Sequence, residues 1–409
     1  MPINAITFNI QEGGLGRAIP GKDYFSGIAF PFVDAQLPAG FATDDRFKKV
    51  FTLQEAEALG ITSDSANDAT KIAHYHISEY FRILNKSGNT GVLYIYLFDE
   101  NAGVYDGGQQ VEDLQNFADG ELRQIGVYYD IAFASSLVNA VSSSIDTLLG
   151  QDRPTIGILG ADISGVADLS TLADLRALNK RWVSVDIAQD GSGTGKELFD
   201  SVGQSITALG TTLGTIALSN VHENIGWVDK FDIADSVEFQ EPAFANGQLV
   251  KDISNALIET ISGQGYLLMI KRQEITGTFY IDSPQTTLAT SDFAYIENSR
   301  TIQKAVRLVR QKLLPFINSP LYVDATSGQL SETTIFGFEN AALTALEQMA
   351  QDGEISVDQA TGKLPEGSVL IDPNQNVLAT SQVVITVKIV PVGVAREIIV
   401  NIGFVPKIG

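Results

Sequence analysis

The sequence predicts an α/β domain joined to a mixed α+β domain, with an alternating strand at each extremity. Three observations carry this reading. Apolar runs alternate with helical stretches from Val92 to Leu218, the βαβ rhythm of a parallel-rich sheet. After Asn246 the rhythm changes to a helix followed by two neighbouring strands. Strict period-2 patterning is concentrated at the two ends of the chain.

Along the chain, Ile6, Phe8 and Ile10 fall on one face of a strand over Ile3 to Gln11, which Gly13, Gly14 and Gly16 terminate. Arg17 to Asp45 offers no second alternating run, so the first strand lacks a hairpin partner nearby. Thr52 with Glu55 three residues later marks a capped helix ending at Gly60, and a second helix spans Asn67 to Leu84. Buried strands are predicted at Val92–Phe98, Gln124–Tyr129, Thr155–Leu159, Trp182–Ile187 and Thr215–Leu218. Between them, helices are predicted at Val111–Asp119, Ala132–Leu149, Leu169–Asn179 and Gly195–Leu209. Leu249–Ile261 reads as a helix, and Tyr266–Lys271 and Gly277–Asp282 as strands. Two alternating strands close the chain, one through Val383, Ile385, Val387 and Ile389, the other through Ile398, Val400, Ile402 and Phe404, with Pro391 and Gly393 at the bend.

The helix over Arg300–Leu313 carries the most information about partners. Ile302, Val306, Val309 and Leu313 recur at helical spacing, with Arg300, Lys304 and Arg307 on the opposite side. No Asp or Glu occurs from Asn298 to Val323, so five cations stand together in a chain of net charge −22. That overall charge repels polyanions and argues against nucleic-acid or anionic-membrane partners. The cationic helix suits an acidic protein partner, and equally an ordinary amphipathic surface helix; no aromatic residues interleave it as base stacking requires. The chain has no cysteine, which excludes disulfides and thiol chemistry and suits a reducing compartment. The amino terminus does not read as a signal peptide, and Val383–Val405 is broken by Lys388, Pro391, Arg396 and Glu397, unlike a membrane span.

Motifs for catalysis are weak. Asp190-Gly-Ser-Gly-Thr-Gly-Lys196-Glu197 lies between a strand and a helix, where a phosphate loop belongs, and a nucleotide-using α/β enzyme built on Gly191–Lys196 is the alternative reading. Asp190 stands where such a loop needs glycine, and Glu197 where it needs a hydroxyl; both bring charge that repels phosphate. His74 and His76 on one helix point about 200° apart, so they do not converge on a metal. His222 has no nucleophile elbow to serve. Neither a catalytic residue nor a metal or cofactor is expected.

The extremities raise an energetic question. Ordering eight residues at the amino terminus costs roughly 8–16 kcal/mol, while burying four apolar side chains returns roughly 6–12. Ladder hydrogen bonds must supply the remainder, so the strand needs a waiting sheet edge, in its own chain or in another copy.

The segment ITVKIVPVGVAREIIVNIGF, Ile385 to Phe404, resembles the carboxy-terminal end of contractile tail sheath proteins. FTLQEAEALGI, VLYIYLF after a Gly-Asn-Thr-Gly turn, and ENSRTIQKAVRLVRQKL follow the same order, and the whole is similar to sheath subunits of Mu-like phages, prophages and contractile injection systems. The resemblance implies a non-enzymatic subunit of a virion tail or injection particle, assembled in the bacterial cytoplasm. It implies hexameric rings stacked helically around an inner tube, with baseplate and tail terminator proteins as further partners. Neighbours would exchange the strands of Ile6, Phe8 and Ile10 and of Ile398, Val400, Ile402 and Phe404. Arg300, Lys304 and Arg307 would face the tube, and contraction would hinge at Gly13, Gly14 and Gly16. The implied organisation is an arm over residues 1–20, an outer α/β region over 21–295, a tube-facing α+β domain over 296–380, and terminal strands over 381–409.

Overall fold

The computed structural model describes residues 22–86, 88–101, 105–400 and 402. The expected donor strand of Ile6, Phe8 and Ile10, the hinge glycines Gly13, Gly14 and Gly16, and Phe404 lie outside the described residues. The first half of the chain contains β1 (Ser26–Phe32), β2 (Phe47–Val50), α1 (Leu53–Ala58), α2 (Asp68–Asn85), β3 (Leu93–Asp99), α3 (Gly108–Phe117), β4 (Gln124–Ala132), α4 (Ser135–Gly150), β5 (Ile156–Asp162), β6 (Val183–Asp186), β7 (Ala188–Asp190) and α5 (Thr194–Val202). It continues with α6 (Leu209–Leu218), β8 (Pro242–Phe244), α7 (Asn255–Gly263), β9 (Tyr266–Leu267), β10 (Met269–Ile270), β11 (Phe279–Tyr280), α8 (Ile296–Leu313), α9 (Glu332–Gln351), β12 (Val369–Ile371), α10 (Val377–Thr380) and β13 (Ile385–Val387).

Seven strands form one sheet in the order β2-β3-β1-β4-β5-β6-β9, parallel throughout except for β2 at the edge. Alternate side chains of the central strands feed two cores. Ile28, Phe30 and Phe32 of β1 and Leu93, Ile95 and Leu97 of β3 meet α2 and α6, while Ile125, Val127 and Tyr129 of β4 meet α3 and α4. The α2–α6 contact is close because α6 presents glycine: a Cβ on Gly210 would lie 2.0 Å from the His76 carbonyl oxygen. β7 and β8, and β10 and β11, form short antiparallel pairs beside the main sheet.

After α8, two small apolar clusters replace the large cores. Ala342, Leu346 and Met349 of α9 pack with Ile355 and Val369, and Phe338 packs with Leu330, Ile371 and Val377. β12 pairs antiparallel with β13 in a two-stranded sheet, Val369 opposite Val387 and Ile371 opposite Ile385.

The parallel-rich α/β rhythm is present, with corrections. Thr215–Leu218, expected as a strand, is the last turn of α6; the run is buried all round, and a short apolar stretch looks alike in a core helix and a core strand. Leu169–Asn179 forms two single 3₁₀ turns instead of a helix, with Asn179 left-handed at φ 50°. The unalternating stretch before Asp45 contains β1, a central strand buried on both faces; its pairing with β4 stops at Ala29, before Pro31, which has no N–H to extend it. Helix α9 carried no expectation. The expected strand over Val383–Ile389 is ordered as β13 across three residues only, and Ile398, Val400 and Ile402 belong to no strand among the described residues.

Candidate functional site

Helix α8 runs between the seven-stranded sheet and α9, and it is met by Asp23, near the start of the described residues, and by Arg396, near their end. The sequence places its apolar stripe inward and its cations outward; the structure reverses part of that arrangement. Val306 of the stripe is 44% exposed, whereas Arg300 is 4% exposed. The cations turn inward because oxygen acceptors wait there. Arg300 donates from Nη1 to Ser219 Oγ at 2.7 Å and to the Asn220 carbonyl at 3.2 Å, and from Nη2 to the Ser219 carbonyl at 3.2 Å. Ser219 caps the carboxy-terminal end of α6, where carbonyls lack intrahelical donors and a cation is favoured. Burial lowers the Arg300 pKa to about 10, which still leaves the guanidinium charged near neutrality.

Lys304 pairs with Asp23 at 2.8 Å and also meets Glu354, and Arg307 pairs with the same Asp23 carboxylate. Burial pushes the Asp23 carboxyl up, but Arg307 and Lys304 together hold it below the ordinary value. These groups border a cleft of about 1100 Å³, lined also by Lys22, Arg123, Leu308 and Gln348. All three cations expected at a tube surface thus have their charge engaged within the chain. Further along the helix, Arg310 and Lys312 are exposed, Arg310 pairing with Asp152 at 2.8 Å.

The second approach to α8 comes from the other extremity. Arg396 donates from Nε to Asp282 at 2.8 Å, from Nη2 to Glu297, and lies over the Tyr295 ring, 3.4 Å from its centroid. Beyond it Ile398, Ile399, Val400 and Ile402 are 79%, 75%, 75% and 95% exposed. Ile317, Tyr322, Phe336, Leu378 and Val384 are exposed large apolar side chains as well. Sequence patterning found the apolar alternation of the last segment and the charge on α8. It missed Asp23, Glu297 and Asp282, whose partners are distant in the chain.

The glycine-rich loop is occupied by the chain's own carboxylates. Asp190 accepts from the backbone N–H groups of Ser192 at 2.9 Å and Gly193 at 3.1 Å, and Glu238 accepts from the Thr194 N–H at 2.9 Å. Lys196 pairs with Asp200 at 2.6 Å. The donors that would cradle a phosphate are satisfied by anions, which opposes the nucleotide reading. His76 is wedged between Phe30 and Tyr128, and burial lowers its pKa to about 3; His74 meets Glu57 at 3.0 Å. No cluster suited to a metal ion occurs among the described residues. No helix among them is long and apolar enough to cross a membrane.

Comparison with known proteins bears on what this arrangement serves. Residues 292–409 match the family described as DUF2586, C-terminal domain. No curated protein matches the sequence. Among solved structures, the chain is similar to a subunit of the anti-feeding prophage helical sheath in its contracted state, at 14% identity and a TM-score of 0.61, covering 93% of this chain and 92% of that one. It is also similar to a chain of the anti-feeding prophage baseplate, 6-fold symmetrised, at 14% identity and a TM-score of 0.59, covering 98% and 99%. The likeness covers most of the chain and agrees with the sheath resemblance of the sequence. This chain therefore has the fold of the anti-feeding prophage sheath and baseplate subunits, and its last third matches the DUF2586 C-terminal domain.

Proposed function

We propose that the chain is a non-enzymatic structural subunit of a contractile particle, polymerising as stacked six-membered rings around an inner tube and contracting to drive that tube through a target envelope. The observation that carries this reading is the group Ile398, Ile399, Val400 and Ile402, apolar, exposed and without a ladder partner among the described residues of its own chain. Beside it stands an incomplete acceptor. β12 and β13 form only two strands, and a two-stranded sheet gains stability in water from a further strand. A strand lent by another copy would complete that sheet and cover the carboxy-terminal apolar side chains. The amino-terminal strand of Ile6, Phe8 and Ile10 is proposed as the second lent strand, with Gly13, Gly14 and Gly16 as its hinge.

A tube contact through Arg300, Lys304 and Arg307 would require their internal partners to yield, so the exposed Arg310 and Lys312 are the better placed cations on this helix. Baseplate and tail terminator subunits are further partners in this reading, and assembly precedes release from the bacterial cytoplasm. Negative-stain microscopy of the purified chain tests it. Ribbed tubes or rings are the expected result; a discrete monomer at every concentration and salt would overturn it.

A further inference from the structure

Arg396 sits in a socket that the α/β body has fully formed. Asp282 and Glu297 bring two carboxylates, and Tyr295 brings a ring face. Glu297 is 2% exposed and is further held by Ser283 Oγ and by Asn224 Nδ2 at 3.1 Å; Asn224 also donates to Asp282 at 2.6 Å. Arg396 is the only cation that pairs with Glu297 among the described residues. A planar guanidinium gripped by two acids and stacked on an aromatic ring is fixed in position and in orientation, as a lysine ammonium would not be.

The position of this grip along the chain gives it meaning. The last backbone contacts of the carboxy-terminal segment are the Val390 carbonyl accepting from the Ser356 N–H at 2.8 Å and the Ile355–Pro391 bridge. Beyond Pro391, whose carbonyl also accepts from Ser356 Oγ at 3.0 Å, the Arg396 side chain makes the only hydrogen bonds or ion pairs as far as Ile402 among the described residues. Two residues after it the exposed apolar run begins.

We propose that Arg396 is a positioning residue: clamped by Asp282, Glu297 and Tyr295, it sets the direction in which the apolar segment from Ile398 leaves the body, and so presents that segment to a second copy of the chain. The clamp belongs to the single chain; its use in assembly rests on the sheath-type function proposed above. A grip on a side chain leaves the backbone donors and acceptors of the following residues free for an intermolecular ladder, which a backbone anchor would not.

The chain has no cysteine, so paired spin labels at Glu259→Cys and Ile399→Cys report one distance without interference. The parent should give a narrow distance distribution, Arg396→Lys a broader one, and Arg396→Ala one whose sharp peak is lost. Because Arg396→Ala strands the buried Glu297 carboxylate, Arg396→Ala with Glu297→Gln is measured beside it, and should be equally broad while melting as cooperatively as the parent. In the unlabelled proteins, the same double variant should lose ring or tube formation. A distribution as narrow as the parent's in the double variant overturns the clamp, whatever the chain assembles into. Broadening with unimpaired assembly overturns its use in presentation. Broadening in a chain whose parent never assembles would retain the clamp, remove its use in presentation, and count against the sheath function.

Discussion

Truncating the chain after Glu397 separates what the terminal segment does for the subunit from what it does for the assembly. Within the subunit Ile398, Ile399, Val400 and Ile402 are 75–95% exposed and take part in no hydrogen bond among the described residues, so their removal should change unfolding free energy by no more than about 0.5 kcal/mol. In a ladder with another copy the same four side chains would return roughly 6–12 kcal/mol on burial, at about 1.5–3 each. Ordering the five residues from Ile398 to Ile402 costs roughly 5–10 kcal/mol, and four ladder hydrogen bonds add back roughly 2–6. The balance is about 5 kcal/mol per exchanged strand, more than a thousandfold in the association constant. Thermal melting followed by circular dichroism reads the first quantity, and sedimentation with negative-stain imaging the second. The expected result is an unchanged melt and no polymer. A truncated chain that polymerises like the parent, or that melts several degrees lower as a monomer, refutes the reasoning.

Other predictions rest on the body. Burial raises the Asp186 carboxyl from 3.8 to about 7, against the Thr212 hydroxyl and the Ala188 N–H that favour its ionised form. The folded state therefore keeps a proton that the unfolded state releases, so stability falls as pH rises through that window, by up to about 4 kcal/mol from this group. Asp186→Asn should remove that slope in urea titrations, and a parallel slope in both proteins would contradict the assignment. Asp23→Ala leaves Arg307 without a carboxylate and Lys304 with Glu354 alone, and should cost about 3–5 kcal/mol in urea denaturation, with a loss below about 1 counting against the network. Gly210→Ala puts a methyl group 2.0 Å from the His76 carbonyl oxygen and must separate α6 from α2; a loss of about 3 kcal/mol or more in melting or urea unfolding is expected.

What the sequence discloses follows from the range of the forces involved. Strands β3 to β6 are legible because each is a continuous apolar run flanked by helical spacing, both local properties. β1 is hidden by Gly27 and Pro31, which read as punctuation until the neighbours that accommodate them are seen; a Cβ on Gly27 would meet Leu114 and Leu122 at 2.8 Å. The cations of α8 are legible as a charged cluster, and their direction is not. Arg307 finds Asp23 across 284 positions of sequence, and Arg396 finds Glu297 across 99, so one-dimensional spacing makes both cations look solvent-facing. The cap of α1 lies at the other limit: Thr52 accepts from the Glu55 N–H at 3.2 Å, a contact written within four residues.

The two longest of these contacts have one consequence in common. Asp23, the second described residue, bears on the middle of α8 through Lys304 and Arg307; Arg396 precedes the exposed apolar residues from Ile398 and bears on the first turn of the same helix through Glu297. The two roots are seven to ten positions apart on one helix, a separation of about 10–15 Å at 1.5 Å per residue. A displacement of α8 would therefore bear on both contacts together, on Asp23 through Lys304 and Arg307 and on Arg396 through Glu297.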